Sequence, residues 1–464
     1  MSWLKTFCPV LLVLILNTSF SLAAEKTDPQ EIQKTIKLLD SDDPTVAGKA
    51  AEKLGNIKDP GDAVILALVK HLSDKREVRE NGHPIPGPIT LVSECASDAL
   101  VKIGTKSVVP PLCKFLADAK DTAAKRRAIQ TLSRLGPAAR ESVDHLLPLL
   151  KDKDATVRVQ TISAIATLSD DAARKVKLFT PLLQDKSSSV QGTAIEALGM
   201  LGPKAADAVP YILPLLDSKA TRPFAISIDM IGLRSLCEDA AFALAEIGSP
   251  AKAALPKLEE ILRQKSDFPC TNKPLVAAYA HCQISGKRKP GLDALLKALD
   301  DEEYPPNALD LLGRITHKHL MGPVPERVKK FLKDPDELTR ISAIEVLEKA
   351  APPDMIPTLL PLLKDPEEFV RGEVIRALSE HAVAHPELLD VFIDYLNGKY
   401  AKESDLNVGT ERNLAIEAIG DIGAKAEKAI PLLEEIEKKA DYEPERKDAR
   451  EALKKIREAL KKKP

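Results

Sequence analysis

The phrase Leu-Gly-Pro recurs in this chain at a fixed period, and that period constrains the fold more than any single residue does. Its glycines, Gly136 and Gly202, lie 66 residues apart, or two steps of 33. Gly104, which follows Ile103, lies 32 residues before Gly136. A period in the thirties is typical of helical repeat arrays, in which each unit buries its apolar face against its neighbours. The recurrence therefore predicts one repeat protein rather than several separate globular domains.

One repeat shows how each unit is expected to fold. Residues 142–150 carry leucine and valine at helical spacing, and residues 155–168 resume that spacing after a charged turn at 151–154. Two such segments joined by a short turn predict a helical hairpin. About twelve hairpins can be counted along the chain. We therefore predict an all-α fold, an α-solenoid or superhelix of about twelve stacked helical hairpins.

The details of the repeat resemble a known family. The first helix ends in Leu-Leu-Lys-Asp at residues 149–152 and again at 362–365, and an arginine follows at Arg158 and at Arg371. A Leu-Gly-Pro-x-Ala link, as at residues 135–139, precedes the next hairpin. This pattern resembles the HEAT-repeat family, in the short bacterial variety related to phycobilin-lyase-type repeats. The resemblance covers essentially the whole mature chain and implies the solenoid fold, but a fold says little about activity.

The same resemblance implies a structural role for a set of acidic and basic residues. In the family, Asp and Arg pairs stack into a ladder that runs between adjacent repeats. Pairs of this kind contribute only about 0–1 kcal/mol each where they are exposed, so we expect them to set the angle between repeats. The residues carried over to the ladder are Asp154, Arg158, Asp334, Arg340, Asp365 and Arg371.

The first 24 residues have the pattern of a secretory signal peptide. Lys5 precedes a short apolar run at residues 10–16, and residues 21–24 (Ser-Leu-Ala-Ala) offer small side chains to signal peptidase. The apolar run is shorter than the roughly 20 residues that a membrane-spanning helix needs. We therefore predict cleavage after Ala23 or Ala24, export to the periplasm or exterior, and no stable membrane insertion afterwards. An uncleaved anchor is the alternative.

The predicted mature chain, residues 25–464, is assigned entirely to the solenoid. Loss of the single leader lysine leaves 66 basic and 69 acidic residues, a net charge of −3. Aromatic residues make up only 4% of the sequence. A near-neutral chain with few aromatic side chains lacks the basic surface that nucleic-acid binding requires. We therefore expect no nucleic-acid partner.

Long insertions interrupt several hairpins between the first and the second helix. They lie at residues 74–90, 218–232 and 397–410, with a shorter one at 265–274. Because the helices alternate in direction, we expect these loops to protrude from one edge of the solenoid, and surface loops often carry binding residues. Insertions without any role are the alternative. The candidate partner-binding residues within them are Arg79, His83, Arg222, Phe224 and Tyr400.

Signatures of catalysis and of metal binding are sparse. His381 and His385 share one helical face, but Ala382 stands where the zinc-protease pattern needs the glutamate that acts as general base. The sequence contains no His-Glu dipeptide, no Gly-x-Ser-x-Gly, and no phosphate- or dinucleotide-binding fingerprint. We therefore predict no catalytic residue, no cofactor and no metal.

The cysteines do not form a disulfide framework. Five remain after leader removal, an odd number at irregular spacing. We expect most of them to pack as small hydrophobic side chains, and a single bridge between Cys270 and Cys282 is left open. The five are Cys95, Cys113, Cys237, Cys270 and Cys282.

These observations together predict an exported, non-enzymatic scaffold. A solenoid presents an extended concave wall, and we expect a protein or peptide partner to bind this wall and the long loops within hairpins. Two alternatives stay open. One is an enzyme or enzyme subunit, lyase-like or metal-dependent, whose active centre no motif reveals. The other is an architectural component of the cell envelope.

Overall fold

The computed structural model describes residues 28–78, 90–227, 230–263, 273–300, 305–315, 322–400, 409–440 and 442–462. Side chains are described at all of these positions except 224–227, 230–233, 305, 409 and 410. The predicted leader lies outside the described residues. The chain divides into two compact units, residues 1–171 and residues 172–464.

The described part of the first unit consists of four helix pairs and one short hairpin of strands. Odd-numbered helices are the first helices of the pairs, and even-numbered helices are the second helices. The elements are α1 (Pro29–Leu38), α2 (Pro44–Gly55), α3 (Asp62–Lys70), β1 (Glu77–Val78), β2 (Thr90–Leu91), α4 (Val92–Ile103), α5 (Val109–Asp118), α6 (Thr122–Arg134), α7 (Val143–Leu146) and α8 (Ala155–Leu168).

The described part of the second unit continues the alternation through eight more pairs. Its elements are α9 (Ala172–Phe179), α10 (Ser188–Gly199), α11 (Val209–Ile212), β3 (Thr221–Ser227), β4 (Met230–Ser235), α12 (Leu236–Ile247), α13 (Leu255–Arg263), α14 (Lys273–Ser285), α15 (Gly291–Ala298), α16 (Pro305–Gly313), α17 (Val324–Val328), α18 (Glu337–Ala350), α19 (Met355–Leu359), α20 (Glu368–Ser379), α21 (Leu389–Leu396), α22 (Gly409–Ile422), α23 (Ile430–Lys439) and α24 (Glu443–Lys461).

Stacking of the second helices on one another builds a continuous layer within each unit. In the first unit α2, α4, α6 and α8 pack in succession, and in the second unit α10 packs on α12 and so on to α24. The first helices pack against their own second helices, as α23 does against α24. The core between the layers is formed mainly by leucine, alanine, isoleucine and valine. The predicted all-α solenoid is thus confirmed, and the described residues form twelve helix pairs.

The recurring prolines and glycines have direct structural explanations. Gly136 and Gly202 both have φ of 57°, a left-handed conformation that glycine adopts without the strain a side chain would add. Pro148 removes a backbone donor, so α7 ends at Leu146 and the chain continues as a 3₁₀ helix over Leu147–Lys151. The Leu-Pro-Leu-Leu copy at Leu360–Lys364 forms the same 3₁₀ turn.

Glycine also lets neighbouring second helices approach closely. A Cβ added at Gly55 on α2 would lie 2.7 Å from the Cα of Ala99 on α4. At Gly420 on α22 it would lie 2.8 Å from the Cα of Ala452 on α24. Because the obstructing atom is backbone, no side-chain rotation can relieve such a contact. The small residues therefore set the spacing of these helices.

Two of the predicted insertions contain antiparallel strands, which the sequence analysis did not predict. β1 pairs with β2 inside the insertion at 74–90. β3 pairs with β4 inside the insertion at 218–232, with a register irregularity between Ala225 and Ser227. Each hairpin leads directly into a second helix, β2 into α4 and β4 into α12. The insertions therefore lie between the first and second helices, as predicted.

Candidate functional site

The five predicted partner-binding residues do not form one described surface. Arg79 and His83 lie outside the described residues, and Phe224 belongs to β3 with its side chain outside the described set. Tyr400 is half-buried, and Lys399 Nζ lies 5.8 Å from its ring centroid while binding Asp394 at 2.5 Å.

Arg222 is an interior residue rather than a surface contact. It is 7% exposed, and its Nε and Nη2 donate to the two carboxylate oxygens of Asp239 at 2.6 and 3.1 Å. It also forms an ion pair with Glu196 on α10. Arg234 on β4 binds Asp239 at 3.0 Å and lies 4.6 Å above the ring of Phe242. The sequence expectation for Arg222 is corrected: it ties the β3–β4 hairpin to α10 and α12.

The position of Arg222 depends on a glycine in the preceding second helix. A Cβ added at Gly192 on α10 would overlap Arg222 Nε. Gly48 on α2 stands in the same relation to the other hairpin, since a Cβ there would lie 3.0 Å from Val78. Both hairpins therefore pack onto a glycine of the second helix before them.

The ladder residues form a rung between neighbouring repeats in the second unit. Arg340 on α18 donates from Nε and Nη2 to Asp365 at 2.9 and 2.8 Å, and both side chains are buried. Arg340 Nη1 also donates to the carbonyl of Asp334 at 2.8 Å. Arg371 donates to the carbonyl of Asp365 at 2.7 Å. Asp365 thus receives bonds from the arginines of two successive second helices.

In the first unit the acid of the equivalent rung is Asp152 rather than the expected Asp154. Lys125 Nζ binds Asp152 at 2.7 Å, and Arg158 donates to the Asp152 carbonyl at 2.8 Å. The Asp154 carboxylate instead caps α8 by accepting from the backbone nitrogen of Thr156 at 2.8 Å. Asp154 lies four residues before Arg158, whereas Asp365 lies six residues before Arg371, so the residue equivalent to Asp365 is Asp152.

The second-helix face of α18 and α20 exposes two large apolar side chains at equivalent positions. Leu338 and Phe369 are each the second residue of their helix, and they are 65% and 70% exposed. Spacings of four and seven residues place further side chains on the same helical face. We call this set the α18–α20 strip. Its members are Leu338, Ser342 and Glu345 on α18 and Phe369, Glu373 and Arg376 on α20.

Glu345 has an unusual environment within the α18–α20 strip. Its neighbour Arg376 is bound by Glu373, at 3.0 Å from Nε to each carboxylate oxygen, and lies 3.4 Å from Glu348. The Glu345 carboxylate itself forms no hydrogen bond or ion pair within the described part of the chain. Burial, followed by repulsion from Glu373, raises the pKa of Glu345 above its usual value.

Two depressions lie elsewhere in the second unit. One, of about 820 Å³, runs between first helices and is bordered by Val176 on α9 and Tyr211 on α11. The other, of about 570 Å³, lies at the ends of α12 and α14. There Gln283 Nε2 donates to the Tyr279 hydroxyl at 3.1 Å, and burial raises the pKa of Tyr279. Neither depression coincides with a predicted binding residue.

The described thiols are packed in the interior or are half-buried. Cys282 is a free thiol in this structure, and Cys270, the other member of the bridge left open by the sequence, lies outside the described residues. Burial raises the pKa of Cys113 to about 11 and that of Cys282 to about 12.

No metal site or membrane span was found in the described ranges. None of their His, Cys, Asp and Glu residues form a group of three or more that could hold a metal ion. His385 Nδ1 instead lies 2.9 Å from the carboxylate of Glu387. No helix in the same ranges has the length and apolar character needed to cross a bilayer.

The alternating layers and the ladder define an α-solenoid, and part of the chain matches a known repeat family. The model of the HEAT-repeat family matches residues 91–166, 143–225 and 324–404, which confirms the predicted resemblance. No curated protein sequence matches this chain.

Solved structures with a similar fold include yeast importin-beta and Kap121p. Yeast importin-beta (Kap95p) has 12% sequence identity and a TM-score of 0.55, over 94% of this chain and 62% of that protein. Kap121p bound to Ste12p has 14% identity and a TM-score of 0.58, over 93% of this chain and 54% of that protein. This chain therefore spans less than two thirds of either structure, and at such identities the likeness shows the fold alone.

The α18–α20 strip was missed by the sequence analysis although its repeats were recognised. The segment Phe331-Leu332-Lys333-Asp334 is a further copy of the phrase that ends in Asp365. Alignment of those two copies would have placed Leu338 opposite Phe369, at positions where a surface helix normally carries polar residues. The sequence signal for the strip is therefore this pair of apolar residues, Leu338 and Phe369, on the solvent side of two adjacent second helices.

Proposed function

We propose that this chain is an exported, non-enzymatic HEAT-repeat scaffold that binds a protein or peptide partner through its second-helix face and the long loops within its hairpins. The observation that carries the proposal is the exposure of Leu338 and Phe369 on neighbouring second helices. Most other strip positions carry charged side chains. Exposed apolar side chains that lie together, with polar residues around them, are typical of binding surfaces.

The likeness to importin-beta and Kap121p supports a binding role at the level of the fold. Kap121p was solved with Ste12p bound to it, so the same architecture accommodates a protein ligand there. The assignment to this chain rests on its own exposed residues. The loop contribution rests on Tyr400 and on the insertions that contain Arg79, His83 and Phe224. Export rests on the leader pattern of residues 1–24.

Site-specific photocrosslinking in the source cells tests the binding face. A benzoylphenylalanine at position 338 or 369 should give a discrete adduct with one partner. The same group at Tyr211 on a first helix, or at Val383, which is 70% exposed in the turn after α20, serves as the matched control. Adducts confined to the control positions would contradict the assignment. N-terminal sequencing of the mature chain tests export, with Ala24 or Glu25 expected as the first residue.

A further inference from the structure

The two apolar side chains of the α18–α20 strip lie near enough for one partner group to contact both. Packed helices are separated by roughly 8–10 Å between their axes, and α18 packs directly on α20. Since Leu338 and Phe369 occupy equivalent positions, their side chains emerge at the same level of neighbouring helices. A single aromatic or branched aliphatic side chain can fill the space between them.

The apolar end of the strip is surrounded by negative charge that the protein itself does not neutralise. Glu337 precedes Leu338, and Glu367 and Glu368 precede Phe369. None of these three carboxylates forms a hydrogen bond or ion pair within the described residues. Arg340 is buried and paired with Asp365, and beyond this pair it attracts Glu337 and Glu367 only at longer range. A partner with acidic residues would therefore be repelled here, and one with basic residues attracted.

The other end of the strip contains a carboxylate that lacks a cation. Glu345 lies seven residues beyond Leu338, or roughly 10 Å along the helix. The two guanidinium groups nearest to it are already occupied, since Arg314 binds Asp310 at 3.0 Å and Arg376 binds Glu373. Burial and repulsion from Glu373 outweigh the attraction that Arg376 and Arg314 exert on the Glu345 carboxylate. A cation supplied from outside would compensate its charge.

We infer that the α18–α20 strip binds a partner polypeptide segment which places an apolar side chain between Leu338 and Phe369 and a lysine or arginine about 10 Å away against Glu345. This inference rests on the proposed function and specifies its partner. The required spacing corresponds to about seven residues in a helical segment or about three in an extended one. Unpaired glutamates around the apolar pair disfavour an anionic lipid surface as the occupant.

Peptide display on the full mature chain tests the inference. A random dodecapeptide library is selected on the wild-type protein, and the enriched peptides are then measured on Leu338→Ser/Phe369→Ser. The enriched peptides should combine an aromatic or aliphatic residue with Lys or Arg at one of the two spacings. Binding of these peptides should weaken at least about tenfold on Leu338→Ser/Phe369→Ser, because the variant lacks both apolar side chains that the peptide would bury. Val383→Ser should bind like wild type.

A separate measurement tests the contact between the lysine or arginine of the peptide and Glu345. Glu345→Gln should weaken the selected peptides about fivefold to tenfold, but it should leave unchanged the same peptides with Lys or Arg replaced by Met. Equal weakening of both peptide sets, or enrichment without basic residues, would overturn the cation contact. Circular dichroism and thermal unfolding confirm that each variant is folded.

The outcome separates this inference from the function on which it rests. Peptides that bind the wild type and the Leu338→Ser/Phe369→Ser variant equally would overturn the strip as the site, while a binding role elsewhere on the chain would stand. We do not expect the wild-type chain to bind anionic vesicles of phosphatidylglycerol. Vesicle binding that is lost in Phe369→Ser would replace the polypeptide partner with a lipid surface. Failure of the wild type to enrich any peptide counts against both proposals.

Discussion

At the scale of single residues, glycine controls where the β3–β4 hairpin can sit. Gly192 has no side chain, and the space that a Cβ would occupy is filled by the guanidinium end of Arg222. Arg222 cannot easily move, because Asp239 holds it through two hydrogen bonds in a buried site. Glycine is therefore required at position 192 of this helix because of a contact with a residue 30 positions later in the sequence.

Gly192→Ala should lower the free energy of unfolding by about 1–3 kcal/mol, which is typical of overpacking in a filled interior. Gly313→Ala is the matched control. Its Cβ would find its nearest neighbour, a methyl group of Val346, at an ordinary 3.7 Å. That change should be neutral or stabilising by up to about 1 kcal/mol, because alanine favours helix. Denaturant unfolding of both variants measures the difference, and equal stability of Gly192→Ala and wild type would contradict the packing described.

The raised pKa of Glu345 predicts how the stability of the protein changes with pH. Because its pKa in the folded chain is raised above the usual 4.5, ionisation of this carboxyl opposes folding. The protonated Glu345 carboxyl stabilises the folded chain below pH 4.5, and this stabilisation is lost as the pH rises through the raised pKa. Glu345→Gln should therefore stabilise the protein at pH 7 by about 0.5 kcal/mol, a small value because the group is partly exposed and screened. Thermal unfolding from pH 4 to 8 should show that gain vanish at the acidic end.

At the scale of helices, the hydrogen bonds of the ladder residues fix the position of one repeat relative to the next. Asp365 lies in the turn before α20 and accepts two hydrogen bonds from Arg340 of α18, while its own carbonyl accepts one from Arg371. The turn of one repeat is thereby fixed to the second helix of the repeat before it. This arrangement is consistent with the predicted role in setting the angle between repeats.

Removal of the buried acid should be costly. Asp365→Ala leaves the Arg340 guanidinium buried without its carboxylate, and breaking a buried pair typically costs about 3–5 kcal/mol. Asp354→Ala removes an acid of the same helix pair that binds Lys329 at 2.6 Å on the exposed surface, and it should leave the unfolding transition almost unchanged. Similar losses in the two variants, measured by chemical denaturation, would show that the ladder does not hold the repeats.

The helices could be predicted from sequence because their signal is local and repeated. The 3.6-residue apolar spacing, the Leu-Pro-Leu-Leu turn and the left-handed glycine recur in copy after copy. The strands could not, because the β3–β4 segment contains Pro223 and an irregular register, and it is held by Gly192, Asp239 and Glu196 from other elements. Strand formation there depends on tertiary contacts, which propensity does not encode.

At the scale of the whole molecule, the sequence pattern favours the insertions as binding sites, whereas the structure favours exposed residues within the repeats. Among the insertion residues, Arg222 differs from its expected position, because a charged loop residue is expected on the surface and this one is buried in an ion-pair cluster. Leu338 and Phe369 looked like ordinary apolar residues of a helix. Their exposure follows only from which face of the second helix meets the core.

Hydrogen–deuterium exchange of the full chain, with and without the partner captured by photocrosslinking, tests whether the α18–α20 strip is the binding surface. The backbone amides of α18 and α20 should gain protection on binding, and the Phe369→Ser variant should show no such gain at the same partner concentration. Protection confined to first helices, such as α9 and α11 beside the Tyr211 depression, would contradict this assignment.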